Sequence, residues 1–382
     1  MESKRESEDV RKETSPAAVV ENTNSPTASS PLEVDDDVRV SDLVIAQVAS
    51  QTDELMPPSM KATMTMSYTM HIVKAVSYAR DLFVNLSNRP AEYLFPNDEQ
   101  ESERLDMHHA LIDVLLHGRL HMAPIGDNPQ RVLDLCTGTG IWAICFADKY
   151  PSAEVIGNDL SPTQPSLVPP NLKFFVDDVE DEWGYESSPF DYIHGRFLIA
   201  SIRDWPKLTR QAFRYSSISL HVMTARLTIH TVSCTKPGGW VEFQDWDGTI
   251  RSDDGTLKGT HIFMLQETVK DAFVEIGINS NPGAQCGGWL KEAGFINITT
   301  QKIKVPLGTW PKDKRLKTVG ALCVLQHLEG LGGMANLPLI KKGWPQKEIQ
   351  VLLAKAREDL RNRKIHAYFD FYIVHGQKPD SS

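Results

Sequence analysis

Carboxylates, glycines and a hydroxyl converge in one short window of the chain. Residues 132–151 read VLDLCTGTGIWAICFADKYP. Asp134 closes an apolar run, Thr137, Gly138 and Gly140 mark a tight turn, and helical spacing begins at Ile141. Gly138 to Ala143 satisfies the G-x-G-x-x-G/A pattern, and Asp159 follows at about the 20-residue spacing of a ribose-binding acid. Such a turn suits an adenosine-containing ligand without saying which one. A strand–helix turn with no ligand fits the same residues.

Charge narrows the choice. A pyrophosphate needs backbone N–H groups at a helix N-terminus with no carboxylate beside them. Asp134 at the mouth of the loop would repel phosphates and attract an ammonium or a sulfonium. S-adenosylmethionine carries both, and its ribose hydroxyls suit Asp159. The other reading of Asp134 is an anchor that only satisfies loop amides. Asp177 and Asp178, in FFVDDVEDEW, come just past a strand, where a carboxylate can accept from an adenine amino group. Charged residues are common at such places. The turn KPGGW (236–240) feeds a late apolar strand, or is an ordinary turn.

The elements that must position these residues alternate. An amphipathic helix is expected from Pro96 to about Leu120. Strands follow at 131–135, 154–158, 172–176, 190–195 and 240–246, with helices at 140–149 and from about Asp204 to Arg214. Helices at 260–277 and 283–293, the strand INITTQKIKV, helices at 316–330 and 346–363 and a final strand HAYFDFYIV complete the chain. Strands alternating with helices predict an α/β fold: a Rossmann-like, seven-stranded, mostly parallel sheet with helices on both faces. An antiparallel final hairpin closes it, and N-terminal and post-sheet segments supply a helical lid.

Residues 1–56, rich in Ser, Thr, Pro and acids, read as a disordered tail, and 57–378 as the domain. Two stretches are atypical. Residues 57–90 have helical apolar spacing without a clear partner. Residues 215–235 lengthen a connection that is usually short, and if they are genuine protein they should form a flexible loop beside the sheet. A net charge of -10 argues against a nucleic-acid surface. Five dispersed cysteines without a CxxC pair argue for a reducing compartment. No apolar run approaches the roughly 18 residues of a membrane span. No signal-peptide core is present, which predicts an intracellular protein, cytoplasmic or nuclear.

DLCTGTG, VIGNDLSP, DDVEDEW, FDYIHGRFLIASIRDWPKL and KPGGWVEFQDWD together resemble the class I S-adenosylmethionine-dependent methyltransferases, and more closely the fungal LaeA-like group of secondary metabolism. The resemblance covers roughly 92–214 and 236–378. It implies that Asp134, Gly138 and Gly140 hold the methionine part, Asp159 the ribose and Asp178 the adenine side. The group usually has glycine where Cys136 stands, which bears on the tightness of the turn. It also has a short Arg-rich aromatic element in place of 57–90. Both atypical stretches fit intron sequence read as protein.

The resemblance implies methyl transfer to a small molecule, an in-line displacement for which the cofactor carries the hard chemistry and a general base is optional. Acid–base candidates stand after the fourth and fifth strands: His194, Arg196 and Asp245, with His327 more distant. Local packing or hydrogen bonding explains His194 and Asp245 equally well, and Arg196 either holds an anionic substrate or neutralises nearby acids. A regulator acting through protein partners is the second reading, and a nicotinamide-dependent oxidoreductase a third, opposed by Asp134 and KPGGW. His117 and His121 share i, i+4 spacing without a convincing third ligand, so no metal is expected. His109 is expected to face the pocket. GLGGMAN (330–336) lacks the Lys-Ser/Thr of a phosphate loop, and no G-x-S-x-G elbow suggests a hydrolase.

Overall fold

Why these residues form a doubly wound sheet is visible in the alternation of the first strand. In the computed structural model, which describes residues 98–185, 188–213, 215–221, 226–232 and 234–380, β1 is Arg131–Leu135. Its Val132 and Leu133 are both fully buried, in different core clusters. Successive side chains of a strand point to opposite faces, so a strand with buried apolar residues at consecutive positions must be covered on both. The tail 1–56 and the segment 57–90 lie outside the described residues.

In chain order, α1 (Glu99–Leu115) precedes β1 and α2 (Ile141–Lys149) follows it. Then come β2 (Glu154–Asp159), β3 (Leu172–Val176), β4 (Phe190–Arg196) and α3 (Trp205–Phe213). After β5 (Tyr215–His221) and β6 (Arg226–Val232) comes the long β7 (Thr235–Arg251). The chain ends with α4 (His261–Glu275), α5 (Pro282–Ala293), β8 (Ile296–Leu307), α6 (Lys314–Lys341), α7 (Gln346–Leu360) and β9 (Ala367–Gln377). The seven-stranded sheet runs β3-β2-β1-β4-β7-β9-β8. The first five strands in that order are parallel neighbours, and β9 lies antiparallel between β7 and β8. The expected closing hairpin is therefore not one in sequence: α6 and α7 stand between its two strands. Sheet neighbours β1 and β4 flank the switch point of the sheet, and ligands bind at the carboxyl ends of strands beside such a point.

Trp205, Leu208, Cys286 and Leu290 of α3 and α5 pack with Leu133, Ile193 and Val241 on one face. Trp142 and Phe146 of α2 pack with Val132, Val155 and Tyr192 on the other. On that second face, further along, Leu111 and Ile112 of α1 and Val319 and Leu322 of α6 join Trp246 and Phe371. Helix α6 runs through GLGGMAN, where the sequence predicts a stop at residue 330. Gly330 explains it: a Cβ there would come within 2.6 Å of the Arg104 side chain, so the glycine lets α6 lie against α1. Tertiary contact outweighs the roughly 1 kcal/mol helix penalty of glycine.

The predicted helix to Leu120 stops at Leu115, capped at its start by Asp98, whose side chain accepts from the Glu101 amide. His117 takes a left-handed φ of 57°, so His117 and His121 do not share a helix. Among the described residues no helix is long and apolar enough to cross a membrane.

The segment expected to be a loop is an antiparallel ribbon. Strand β5 pairs with β6 from Tyr215↔Val232 to His221↔Arg226, and the pair forms its own two-stranded sheet. Its two roots are neighbouring partners, a strand spacing apart. The chain re-enters the fold at Cys234, whose carbonyl accepts from the Phe190 amide, and at Thr235, whose hydroxyl donates to the Ala212 carbonyl. Replacing residues 215–232 with a short Gly-Ser linker is therefore expected to leave the circular dichroism of the seven-stranded fold in place and to shift the melting temperature by only a few degrees. Loss of a cooperative melt would show that the ribbon is needed to assemble the sheet.

Candidate active site

The loop after β1 reverses the chain by taking left-handed backbone three times: Cys136 at φ 49°, Gly138 at 59° and Gly140 at 81°. Glycine does this freely, whereas a side chain costs about 1–2 kcal/mol in that region. Cys136, standing where the resembling group has glycine, keeps the turn and bears that strain. Burial, with Asp159 and Asp134 nearby, pushes its thiol well above the usual range, which leaves it un-ionised.

The carboxylates hold the loop from two sides. Asp134, buried at the end of β1, accepts from the Thr137 hydroxyl at 2.5 Å and from His194 Nδ1 at 2.8 Å. It anchors a hydroxyl and a neighbouring strand rather than loop amides. Asp159, at the end of β2, accepts from the Gly138 amide at 2.8 Å and from the Ser161 amide at 3.0 Å. Burial raises its carboxyl above the usual range, opposed by those amides. Thr139 donates to Asp106 of α1 at 2.7 Å, so the helix before the sheet is tied over the loop.

Most of these groups line an open recess at the carboxyl edge of the sheet, whose empty space of about 980 Å³ includes bulk solvent at its mouth. Its wall includes Asp134, Thr137, Gly138, Asp159, His194 and Arg196, with Phe197, Leu105 and His108 over it. Of the predicted residues, Asp134, Thr137, Gly138, Asp159, His194 and Arg196 are brought together here. Gly140 supports the turn from behind. A Cβ on it would come within 2.4 Å of the Phe174 ring.

The others stand apart. Asp177 and Asp178 are not in the cavity wall. Asp178 accepts from the Glu180 amide at 2.9 Å, while the Asp177 amide donates to the Asp159 carbonyl. Asp245 is also outside it. Its buried carboxylate accepts from the Leu198 and Trp246 amides, both at 2.8 Å, and burial pushes its carboxyl up to about 7. His108 takes the pocket position expected of His109. Arg196 donates to His109 Nδ1 at 2.7 Å, leaving His109 behind the wall.

His194 is fully buried and stacks on Trp142 at 3.7 Å. Its Nδ1 faces Asp134 and so carries the proton, while its Nε2 has no protein partner. Burial outweighs the carboxylate and pushes it down to about 4, so the ring is neutral near pH 7.

Sequence reasoning missed Phe197. It adopts φ 65°, left-handed backbone that a bulky residue rarely takes, and its ring stacks on His108 at 3.9 Å. That conformation has no signature in the residue itself. Phe197 also lines a second cavity of about 830 Å³, bounded by Trp246, Val269, Phe273, Met334 and Phe369. The two cavities meet at this ring.

The donor set of the first cavity suits a ligand with positive charge and a ribose. It offers carboxylates at both strand ends and a single guanidinium, already bonded to His109. A methyltransferase-domain family profile matches residues 107–300, about half of the chain. The chain belongs to the S-adenosylmethionine-dependent methyltransferases. It is 39% identical to methyltransferase pytC of Aspergillus terreus over 290 residues, covering 75% of this chain and 83% of that one. It is 35% identical to the secondary metabolism regulator LAE1 of Cochliobolus heterostrophus, over 75% of this chain and 90% of that one. To the probable methyltransferase tdiE of Emericella nidulans it is 32% identical, over 73% and 82% of the respective chains.

Two outcomes follow from the loop and its histidine. Gly140→Ala places a Cβ in left-handed backbone and against Phe174. It is expected to destabilise the fold by about 2 kcal/mol or more and to weaken binding of S-adenosylhomocysteine, read by denaturant melts and calorimetric titration. Unchanged melts and affinity would mean that the turn is not held as described. For pH, burial lowers His194 and His327 to about 4 and lowers His108 and His109 well below 6.5. Below pH 6.5 the unfolded chain takes up protons that the folded chain refuses, so the melting temperature should fall between pH 6.5 and 4. Asp245, raised to about 7, acts in the opposite sense: its folded form holds a proton from about pH 4 to 7 that the unfolded form releases. Asp245→Asn should therefore steepen the acid loss. A melting temperature flat over this window would contradict the buried neutral histidines.

Proposed function

We propose that this methyltransferase modifies a small molecule of fungal secondary metabolism. The second cavity carries this reading: a largely apolar recess that shares Phe197 with the wall of the cofactor cavity, the kind of lining small-molecule pockets have. Residues of α4 and α6 form part of its wall. An acceptor seated there would lie next to a donor held by Asp134, Thr137, Gly138 and Asp159. The names of the pytC and tdiE relatives support methyl transfer as the activity.

S-adenosylmethionine, when bound, supplies an activated methyl group on a sulfonium. The protein's own residues supply alignment and the exclusion of water. Asp159, already bonded to the Gly138 and Ser161 amides, is placed to receive the ribose hydroxyls. Asp134 contributes negative charge near the methionine part, and His194 Nε2 offers a fixed lone pair in the same wall. Asp177 and Asp178, on the β2–β3 side, are assigned to the adenine end. Arg196 orients α1 through His109, and Asp245 positions the turn carrying Leu198 rather than contacting the acceptor.

The regulator named among the relatives supports a second reading, in which the bound cofactor serves contacts with partner proteins. Titration calorimetry with S-adenosylhomocysteine, NAD and the Asp159→Ala variant decides the cofactor question. Micromolar binding of S-adenosylhomocysteine, at least tenfold weaker in an Asp159→Ala variant that still melts cooperatively, and no binding of NAD are expected. Binding of NAD in place of S-adenosylhomocysteine would overturn the assignment. Labelled methyl transfer to small molecules, against transfer only to co-purified proteins, then separates enzyme from regulator.

A further inference from the structure

The second cavity carries two polar groups that the fold itself leaves open. Gln266 of α4 is 6% exposed, and its amide nitrogen is buried without a hydrogen-bond partner. A buried unpaired donor costs about 1–3 kcal/mol, so an orphan in a cavity wall is an unexplained expense unless something else accepts from it. His327 of α6 is the second group. Its Nδ1 lies 2.7 Å from the Cys323 carbonyl, which can only accept, so Nδ1 carries the proton and Nε2 presents a lone pair. The ring is fixed in that orientation by stacking on Phe369, at 5.4 Å and 14°.

The charged side chains of the same cavity are already matched. Arg104 is held bidentately by Glu101, at 2.6 and 2.7 Å, and donates to Gln326 at 3.1 Å. Lys270 is held by Glu267, and Asp247 by Arg251 at 2.6 Å. What these charges leave for a ligand is a largely apolar, ring-lined space whose wall includes the Gln266 amide and the His327 ring. Phe197, Trp246, Phe273 and Phe369 supply flat surfaces suited to stacking.

We infer that Gln266 and His327 select the methyl acceptor: an uncharged, ring-bearing molecule with a carbonyl that accepts from Gln266 and a hydroxyl that donates to His327 Nε2. The inference rests on the second cavity being the acceptor site, as proposed above. Both residues act by recognition. A phosphorylated or carboxylated acceptor would find no free cation among the groups named and would leave the Gln266–His327 pair half used. The discrimination follows from the cost of unpaired polar groups: a ligand lacking either group leaves one of them desolvated and unsatisfied.

The test uses the full chain saturated with S-adenosylhomocysteine. The probes are the 2-, 3- and 4-hydroxybenzophenones, benzophenone, which lacks the hydroxyl, and 4-benzylphenol, which lacks the carbonyl. The three isomers sample the spacing between the two groups. At least one isomer is expected to bind about fivefold more tightly than either control, the ratio that a single hydrogen bond of about 1 kcal/mol supplies. Gln266→Leu should abolish the advantage over 4-benzylphenol and keep that over benzophenone. His327→Phe should do the reverse. Neither variant should change the affinity for S-adenosylhomocysteine, which also shows that both remain folded. Equal binding of all probes, or no binding to a protein that still binds S-adenosylhomocysteine, overturns the inference. Failure to bind S-adenosylhomocysteine would instead overturn the reading on which it rests.

Discussion

The buried carboxylate of Asp134 is the constraint on which the site depends. A charge at the end of a central strand, 3% exposed, is tolerable only when its oxygens are bonded. Here one oxygen takes the Thr137 hydroxyl and the other takes His194 on the adjacent strand. The first bond closes the loop on itself, and the second locks β1 to β4 at the switch point of the sheet. The same pair sets the tautomer of His194 and leaves its other nitrogen in the cavity wall. Removing the carboxylate would therefore loosen a turn, an inter-strand tie and the electrostatics of the pocket together.

Around that anchor the molecule places left-handed backbone in the walls of its two cavities. Three left-handed residues turn the loop, one of them a cysteine, and a fourth, Phe197, stands where the two cavities join. Such backbone persists only when the surroundings over-determine it. For Phe197 those surroundings are its amide bond to the Gln244 carbonyl and its stacking on His108. Trp246 donates its indole N–H to His108 Nε2 at 3.1 Å, so the ring wall of the second cavity is keyed to the helix that roofs the first. The walls of the two cavities are thus joined through one small aromatic cluster.

Two stretches show how the fold accommodates departures from a simple alternation. The 215–232 ribbon satisfies its backbone by pairing with itself, which lets it leave and rejoin the fold without entering the main sheet. Helix α6 carries Gly330, Gly332 and Gly333 through its middle and Pro338 near its end, yet stays helical because α1 and β8 pack against it. In both places tertiary or cross-strand bonding supplies what local preference does not.

The strand–turn–helix with Asp134, the glycines and Asp159 was legible in the chain because its signals are local: a period, a turn chemistry and a short spacing. So were the alternation of strands and helices, and the family that the ordered motifs resemble. Local pattern did not separate the carboxylates that face the ligand from those that brace the backbone. Asp134 and Asp159 reach the cavity, while Asp245, on an equally suggestive strand, caps amides instead. Nor did it choose His108 over His109, since a rotation of one residue on a helix changes what a side chain meets. The second cavity was invisible in sequence, because Phe197, Gln266, His327 and Phe369 come from four separate elements. The chain by itself determined which elements form and what the loop can bind. Only the tertiary structure decided which polar groups are left unpaired inside, because that depends on partners brought from distant parts of the chain.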